Sequence, residues 1–239
     1  MIKLLLRLLI TPLVLFYSSL ATANMSSDGL AYNITGDGEL LVFIHGSNLD
    51  QRMWAPQVAY FSRFAKVLTY DLRGLGASEK PNKPYSDASD LAHLLDEIDE
   101  HSATIIGLSA GVQVALDFAS AYPQRVNKLV LASPSVNGFV PKQTPPYLAD
   151  LIAALKQQDF DGANEVMLSS SLLAVPDEYQ ALVRKMVTSS RQWSLSYEYI
   201  QQPSQPVLTR LEQINLPVLI LSGQNDVAAI TEMAQLLAQ

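Results

Sequence analysis

Five short, continuous apolar runs punctuate the chain, at 40–44 (LLVFI), 67–70 (VLTY), 104–106 (TII), 128–131 (KLVL) and 217–221 (PVLIL). Unbroken rather than alternating hydrophobicity predicts strands covered on both faces. Between them, 52–63, 86–100 and 110–121 space their apolar residues near 3.6, the period of a helix with one buried side. Ser86 or Asp87 suits the N-cap of the second helix, and Pro123 stops the third. Strand alternating with helix predicts an α/β fold, a mostly parallel sheet with helices on both faces.

The rhythm lapses between Gly138 and Pro206. Helical patterns continue there, at 147–158, 162–173 and 177–192, but no strand pattern does. Pro141, Pro145, Pro146, Pro203 and Pro206 mark the edges as breakers. The stretch reads as a helical cap inserted over one edge of the sheet. The expected organisation is a first core part at 24–139, the cap at 140–206, and a second core part at 207–239.

Residues 1–23 carry another pattern. Lys3 and Arg7 precede an apolar run over 8–20, and Ala21-Thr22-Ala23 supplies a small-x-small cleavage signature. A spanning helix needs about 20 apolar residues, so a removable export signal is the better reading and a retained anchor the weaker one. Of 239 residues, 216 would remain after cleavage. Loss of Lys3 and Arg7 takes the formal charge from −7 to −9. The expected product is acidic, exported to a periplasm or beyond, and without stable membrane insertion.

Composition then narrows the chemistry. An apolar share of 49% with 16% charged residues excludes disorder. No basic cluster exists to neutralise phosphates, so nucleic acid is not an expected partner. Zero cysteines exclude disulfides, thiolate nucleophiles and Cys-ligated metals. Three histidines, far apart along the chain, leave little from which to build a metal site, and none is expected.

Four loops carry the candidate chemistry. Gly107-Leu108-Ser109-Ala110-Gly111 lies between a predicted strand and a predicted helix, the setting of a strained turn that presents a serine nucleophile. Small neighbours let backbone approach Ser109, and the helix start points N–H groups and positive dipole at its oxygen. Second, His45-Gly46-Ser47 follows LLVFI, where the Ser47 amide can join that of Ala110 as an oxyanion hole. His45 lies on that loop, upstream of the nucleophile, and suits orienting it better than acting as a base. His93 and His101 fall in or after a helix and read as surface or interface residues. Third, Tyr70 to Ser78 (YDLRGLGAS) contains Asp71 and Arg73, read as a turn held by an internal ion pair, with Gly74 and Gly76 at positive φ. An acid–base pair is the alternative. Fourth, Gly223-Gln224-Asn225-Asp226 follows PVLIL, where a carboxylate lies at the rim used for chemistry by open α/β sheets. Asp226 can hold an imidazole by its Nδ1–H; a turn carboxylate without such a role is the alternative.

In this order the four pieces resemble the α/β-hydrolase fold superfamily, in its single-domain esterase, lactonase and non-haem haloperoxidase-like branch. The likeness runs over about 38–139 and 207–226, through IHGSNLDQRMWAPQ, YDLRGLGASEKP, IIGLSAG, YPQRVNKLVLASP and LPVLILSGQND. It implies Ser109 as nucleophile, Asp226 as triad acid, Ser47 and Ala110 as oxyanion-hole amides, 138–206 as the cap, and no cofactor. It also implies a general-base histidine downstream of the acid, and none of the residues after Asp226 is His. The expectation is therefore a fold lacking its last strand and helix, with the base beyond residue 239 and PVLIL left as an exposed apolar edge.

The expected activity is hydrolysis of small carboxylic esters or lactones. Amide or peptide hydrolysis, C–C hydrolysis and cofactor-free perhydrolysis share the same constellation. A non-catalytic exported ligand-binding protein is the alternative of another class. Trp193, Met167 and Tyr197, with Met186 and Tyr199, would suit an apolar substrate group, although packing of the cap helices explains them equally well.

Overall fold

The computed structural model describes residues 23–195 and 206–239. The expected leader, all but Ala23, and the substrate-pocket candidates Tyr197 and Tyr199 lie outside the described residues.

Among the described residues, seven strands form one sheet: β1 (Asn24–Met25), β2 (Ala31–Thr35), β3 (Leu40–Ile44), β4 (Lys66–Tyr70), β5 (Ala103–Leu108), β6 (Val126–Ala132) and β7 (Val218–Leu221). Their order is β1-β2-β4-β3-β5-β6-β7. The pairs from β4 through β3, β5 and β6 to β7 are parallel, while β1 and β2 add an antiparallel edge. All five predicted strands are present.

Neighbouring side chains of the central strands face opposite ways. Ile44, Leu68 and Ile105 pack on one face with residues of α2 (Asp87–Glu97) and α3 (Ala110–Ala121). Phe43, Val67 and Ile106 pack on the other with Trp54 and α1 (Ala55–Phe61). This two-sided burial is why the strands read as continuous apolar runs. Ser86 is the N-cap of α2, its hydroxyl accepting from Ser89 N–H at 3.1 Å. The predicted first helix is divided, a 3₁₀ turn at Gln51–Trp54 running into α1, with Pro56 near the join.

Among the described residues, three helices, α4 (Leu148–Lys156), α5 (Phe160–Ser169) and α6 (Asp177–Ser189), lie between β6 and β7 in the chain, where the sequence shows helical patterns. α7 (Ala228–Leu237) follows β7. Among the described strands, β7 is outermost on its side of the sheet, and its Val218, Leu219 and Leu221 are exposed. No helix among the described residues is long and apolar enough to cross a membrane.

One expected contact is replaced. Arg73 does not pair with Asp71; its guanidinium grips Asp90 of α2 through two bonds, at 2.7 and 2.9 Å, and Arg73 Nη1 donates to Asp28 O. Asp71 instead accepts from the backbone N–H groups of Gln51 and Ala77, both at 2.8 Å. Each carboxylate is thus satisfied by the nearest converging donors. The loop is held as expected, by different partners.

Candidate active site

β5 ends at Leu108, and the chain turns straight into α3 with Ser109 at φ 52°, ψ −115°. A non-glycine residue at such a φ is strained, and the surroundings must impose it. They do so through Ser109 N–H, which donates to Ala132 O at 2.9 Å, and Ser109 O, which accepts from Val112 N–H at 2.9 Å. The two flanking glycines are steric requirements. A Cβ at Gly107 would strike the backbone of Gly111, and one at Gly111 would strike the carbonyls of Ile44 and His45. Ala110 is the first residue of α3, so its N–H has no partner one turn back in the helix.

The loop after β3 lies beside this elbow. A Cβ placed at Gly46 would lie 3.4 Å from Ser109 Cβ. Gly46 to Leu49 form a turn closed by Leu49 N–H to Gly46 O at 3.3 Å, with Asn48 at φ 60°, a conformation Asn tolerates well. The turn's own bond does not use the Ser47 amide. His45 is fully buried, its Nδ1 2.8 Å from Gly46 O and its Nε2 accepting from Leu72 N–H at 3.0 Å. With Nε2 as acceptor, Nδ1 carries the proton and donates to Gly46 O. Burial pushes this imidazole below its ordinary pKa, so it stays neutral and ties two loops together. That is the orienting role its position predicts. His93 pairs with Asp28 at 3.1 Å on the surface, and His101 is exposed.

Asp226 sits in the turn after β7. Its Oδ2 accepts from Gly223 N–H at 2.7 Å, Ser133 Oγ at 2.9 Å and Ser222 Oγ at 3.4 Å. Ser133 is held at φ 42°, directly after β6, with its N–H on Leu221 O. It was not singled out in the sequence; the signal was its place at the carboxyl end of a strand, one residue before Pro134.

Ser47, Ser109, Ser133 and Asp226 line one cavity of about 340 Å³. Its remaining walls are mostly apolar, with Met53 beside α1, Met167 on α5, and Val183 and Met186 on α6. The inserted helices therefore cover the carboxyl ends of the strands. Met167 and Met186 line the cavity. Trp193 does not; it packs with Leu151, Ala163 and Met167 within the cap, and its indole N–H donates to Asn164 Oδ1 at 2.9 Å. None of the three histidines lines the cavity.

A serine on a strained strand-to-helix elbow, at the carboxyl ends of a mostly parallel sheet and under a helical cap, defines a hydrolase architecture. The comparisons agree. The sequence model of the alpha/beta hydrolase family matches residues 41–239, and the chain belongs to that family. It is 30% identical over 229 residues to a putative 2-succinyl-6-hydroxy-2,4-cyclohexadiene-1-carboxylate synthase of Bacillus subtilis, covering 87% of this chain and 82% of that protein. Among solved structures, a hydrolase from Pseudomonas aeruginosa superposes with a TM-score of 0.72 at 26% identity, over 92% of this chain and 86% of that one. The enol-lactonase from Burkholderia xenovorans shares the fold with a TM-score of 0.72 at 24% identity, over 88% and 84%.

Proposed function

We propose that this protein is an exported serine hydrolase of small, uncharged carboxylic esters or lactones bearing an apolar acyl group. The observation that carries the reading is Ser109 at φ 52°, at the head of α3 and on the wall of an apolar cavity. Ser109 Oγ attacks the ester carbonyl and gives its proton to an imidazole base. The amides of Ser47 and Ala110 hold the resulting oxyanion. The C–O bond breaks, the alcohol leaves with that proton, and water repeats the sequence on the acyl-serine to release the acid. Asp226 orients the imidazole and stabilises its charged form.

The base is none of the three histidines in this sequence. His45 is locked between Gly46 and Leu72, and His93 and His101 stand outside the cavity. Without it, hydrolysis is expected to fall to the residual level that the hole and binding provide, about 10³–10⁴ over water. At about 30 Å³ per water-sized group, the cavity has room for on the order of ten carbons. Esters of six- to ten-carbon acids are thus favoured over acetate. Export is the reading of residues 1–23 together with zero cysteines.

Hydrolysis of p-nitrophenyl hexanoate, with and without added imidazole, tests this reading. Imidazole should raise the rate of the native protein well above that of Ser109→Ala under the same conditions. Equal rates at every imidazole concentration would rule out Ser109. The second reading, a ligand-binding protein without turnover, rests on the absence of a histidine from the cavity wall. Saturable binding of 2-decanone with no Ser109-dependent hydrolysis would favour it.

A further inference from the structure

The end of α6 reaches two loops of the site at once. Ser190 Oγ donates to Oδ1 of the fully buried Asn48 at 3.2 Å. Arg191, the next residue, spreads its guanidinium over three backbone carbonyls of the loop after β4. Nε donates to Gly74 O at 3.2 Å, and Nη2 donates to Gly76 O at 3.2 Å and Ser78 O at 3.1 Å. Leu195 adds an apolar contact, since a Cβ on Gly74 would run into it. The two loops are already joined to each other by Leu72 N–H on His45 Nε2 and by Gln51 N–H on Asp71. Ser190 and Arg191 therefore complete a ring of bonds around the turn that contains Ser47.

Within the loop, the turn is closed by Leu49 N–H on Gly46 O and braced by His45 Nδ1 on the same oxygen, and Ser190 adds the link from the Asn48 side chain to α6. Asn48 is fully buried there at φ 60°, its Oδ1 reaches α6 through Ser190 Oγ, and its Nδ2 meets no hydrogen-bond partner among the described residues. An oxyanion hole depends on donor placement to within a few tenths of an ångström. We propose that Ser190 and Arg191 are positioning residues for this hole: their bonds to Asn48 and to the carbonyls of Gly74, Gly76 and Ser78 fix the turn that presents the Ser47 amide beside Ser109. α6 also supplies Val183 and Met186 to the cavity wall, so the helix that touches an apolar substrate group is the helix that sets the hole. The inference rests on the proposed function for the chemistry of Ser47, and not for the placement of the turn.

The test pairs a structural reading with a kinetic one. Amide ¹H–¹⁵N spectra are recorded for the native protein, Ser190→Ala, Arg191→Ala, Arg191→Lys and Thr188→Ala. Thr188 is an exposed residue of α6 whose hydroxyl bonds only to its own helix, and it serves as control. Ser190→Ala and Arg191→Ala should displace the Ser47 and Asn48 resonances, and Thr188→Ala should not. In imidazole-supported hydrolysis of p-nitrophenyl hexanoate, each should lower kcat by about tenfold, part of the 10²–10³ lost with a whole donor, and leave KM within about threefold. Arg191→Lys should recover part of the loss, because an ammonium reaches fewer of the three carbonyls. Unmoved Ser47 and Asn48 resonances in both alanine variants, or a raised KM with kcat unchanged, would overturn the proposal. If the native protein shows no Ser109-dependent hydrolysis, the functional reading fails. The resonances then decide the positioning claim alone. Ser190→Ala, the loss of a single hydroxyl, keeps the test open should Arg191→Ala fold poorly.

Discussion

Removing the carboxylate of Asp90 should cost far more stability than the Arg73–Asp90 pair is worth in net terms. Both side chains are nearly enclosed, 8% and 9% exposed, and the two bonds form a bidentate fork. Asp90→Ala leaves a guanidinium in a desolvated place with Asp28 O and the face of Tyr85 but no carboxylate to pair with it, and breaking a buried pair in this way costs about 3–5 kcal/mol. For a chain of this size, that corresponds to roughly 6–20 °C in Tm. The pair itself repays little beyond its own desolvation, so an apolar replacement of both partners should be much milder. Arg73→Met/Asp90→Leu is expected within about 2 kcal/mol of the native protein, the residual coming from the lost bond to Asp28 O. Urea unfolding followed by circular dichroism gives both numbers, provided the denaturant slope is unchanged across the set. An Asp90→Ala loss under about 1 kcal/mol, or a double variant as unstable as the two singles combined, would refute the reasoning.

Three further outcomes are expected. Gly111→Ala drives a methyl into the carbonyls of Ile44 and His45, and should destabilise by about 1–3 kcal/mol and lower Ser109-dependent hydrolysis; native-like melting and activity would contradict the steric account. Asp87, at the start of α2, is pushed up to about 7 by burial and then by the charge of Asp90. Its folded pKa lies above the unfolded value near ~4, so its contribution is complete below that pH and lost as pH rises through about 7. The group keeps some contact with water, so Asp87→Asn should gain only about 1 kcal/mol at pH 8 and flatten the fall in Tm between pH 4 and 8; parallel profiles would count against it. Met186→Trp reduces the cavity, and should shift the preference in p-nitrophenyl ester hydrolysis from octanoate towards butyrate, with an unchanged ratio as the contrary result.

What was legible in the sequence follows from how each feature is encoded. Buried parallel strands announce themselves as unbroken apolar runs, and LLVFI, VLTY, TII, KLVL and PVLIL all became strands. The antiparallel edge did not announce itself. β2 (AYNIT) is half-exposed and mixes polar with apolar residues, and β1 has only two residues, so neither makes a periodic pattern. Around Ser109 the motif was readable because a strained turn with glycines in close backbone contact needs particular residues within a few positions. Long-range partners were not. Arg73 lies two residues from Asp71 but bonds Asp90 across the fold, and Ser133 meets Asp226 over 93 positions. Trp193 shows the limit of composition, because an aromatic residue in a cap serves packing as readily as a pocket wall.

The decisive measurement is the intact mass of the protein after brief exposure to p-nitrophenyl hexanoate with imidazole present, followed by peptide mapping. One hexanoyl group attached at Ser109, absent from Ser109→Ala, is the predicted result. No adduct while p-nitrophenol is released catalytically, or an adduct on another residue that persists in Ser109→Ala, would contradict a serine hydrolase acting through Ser109.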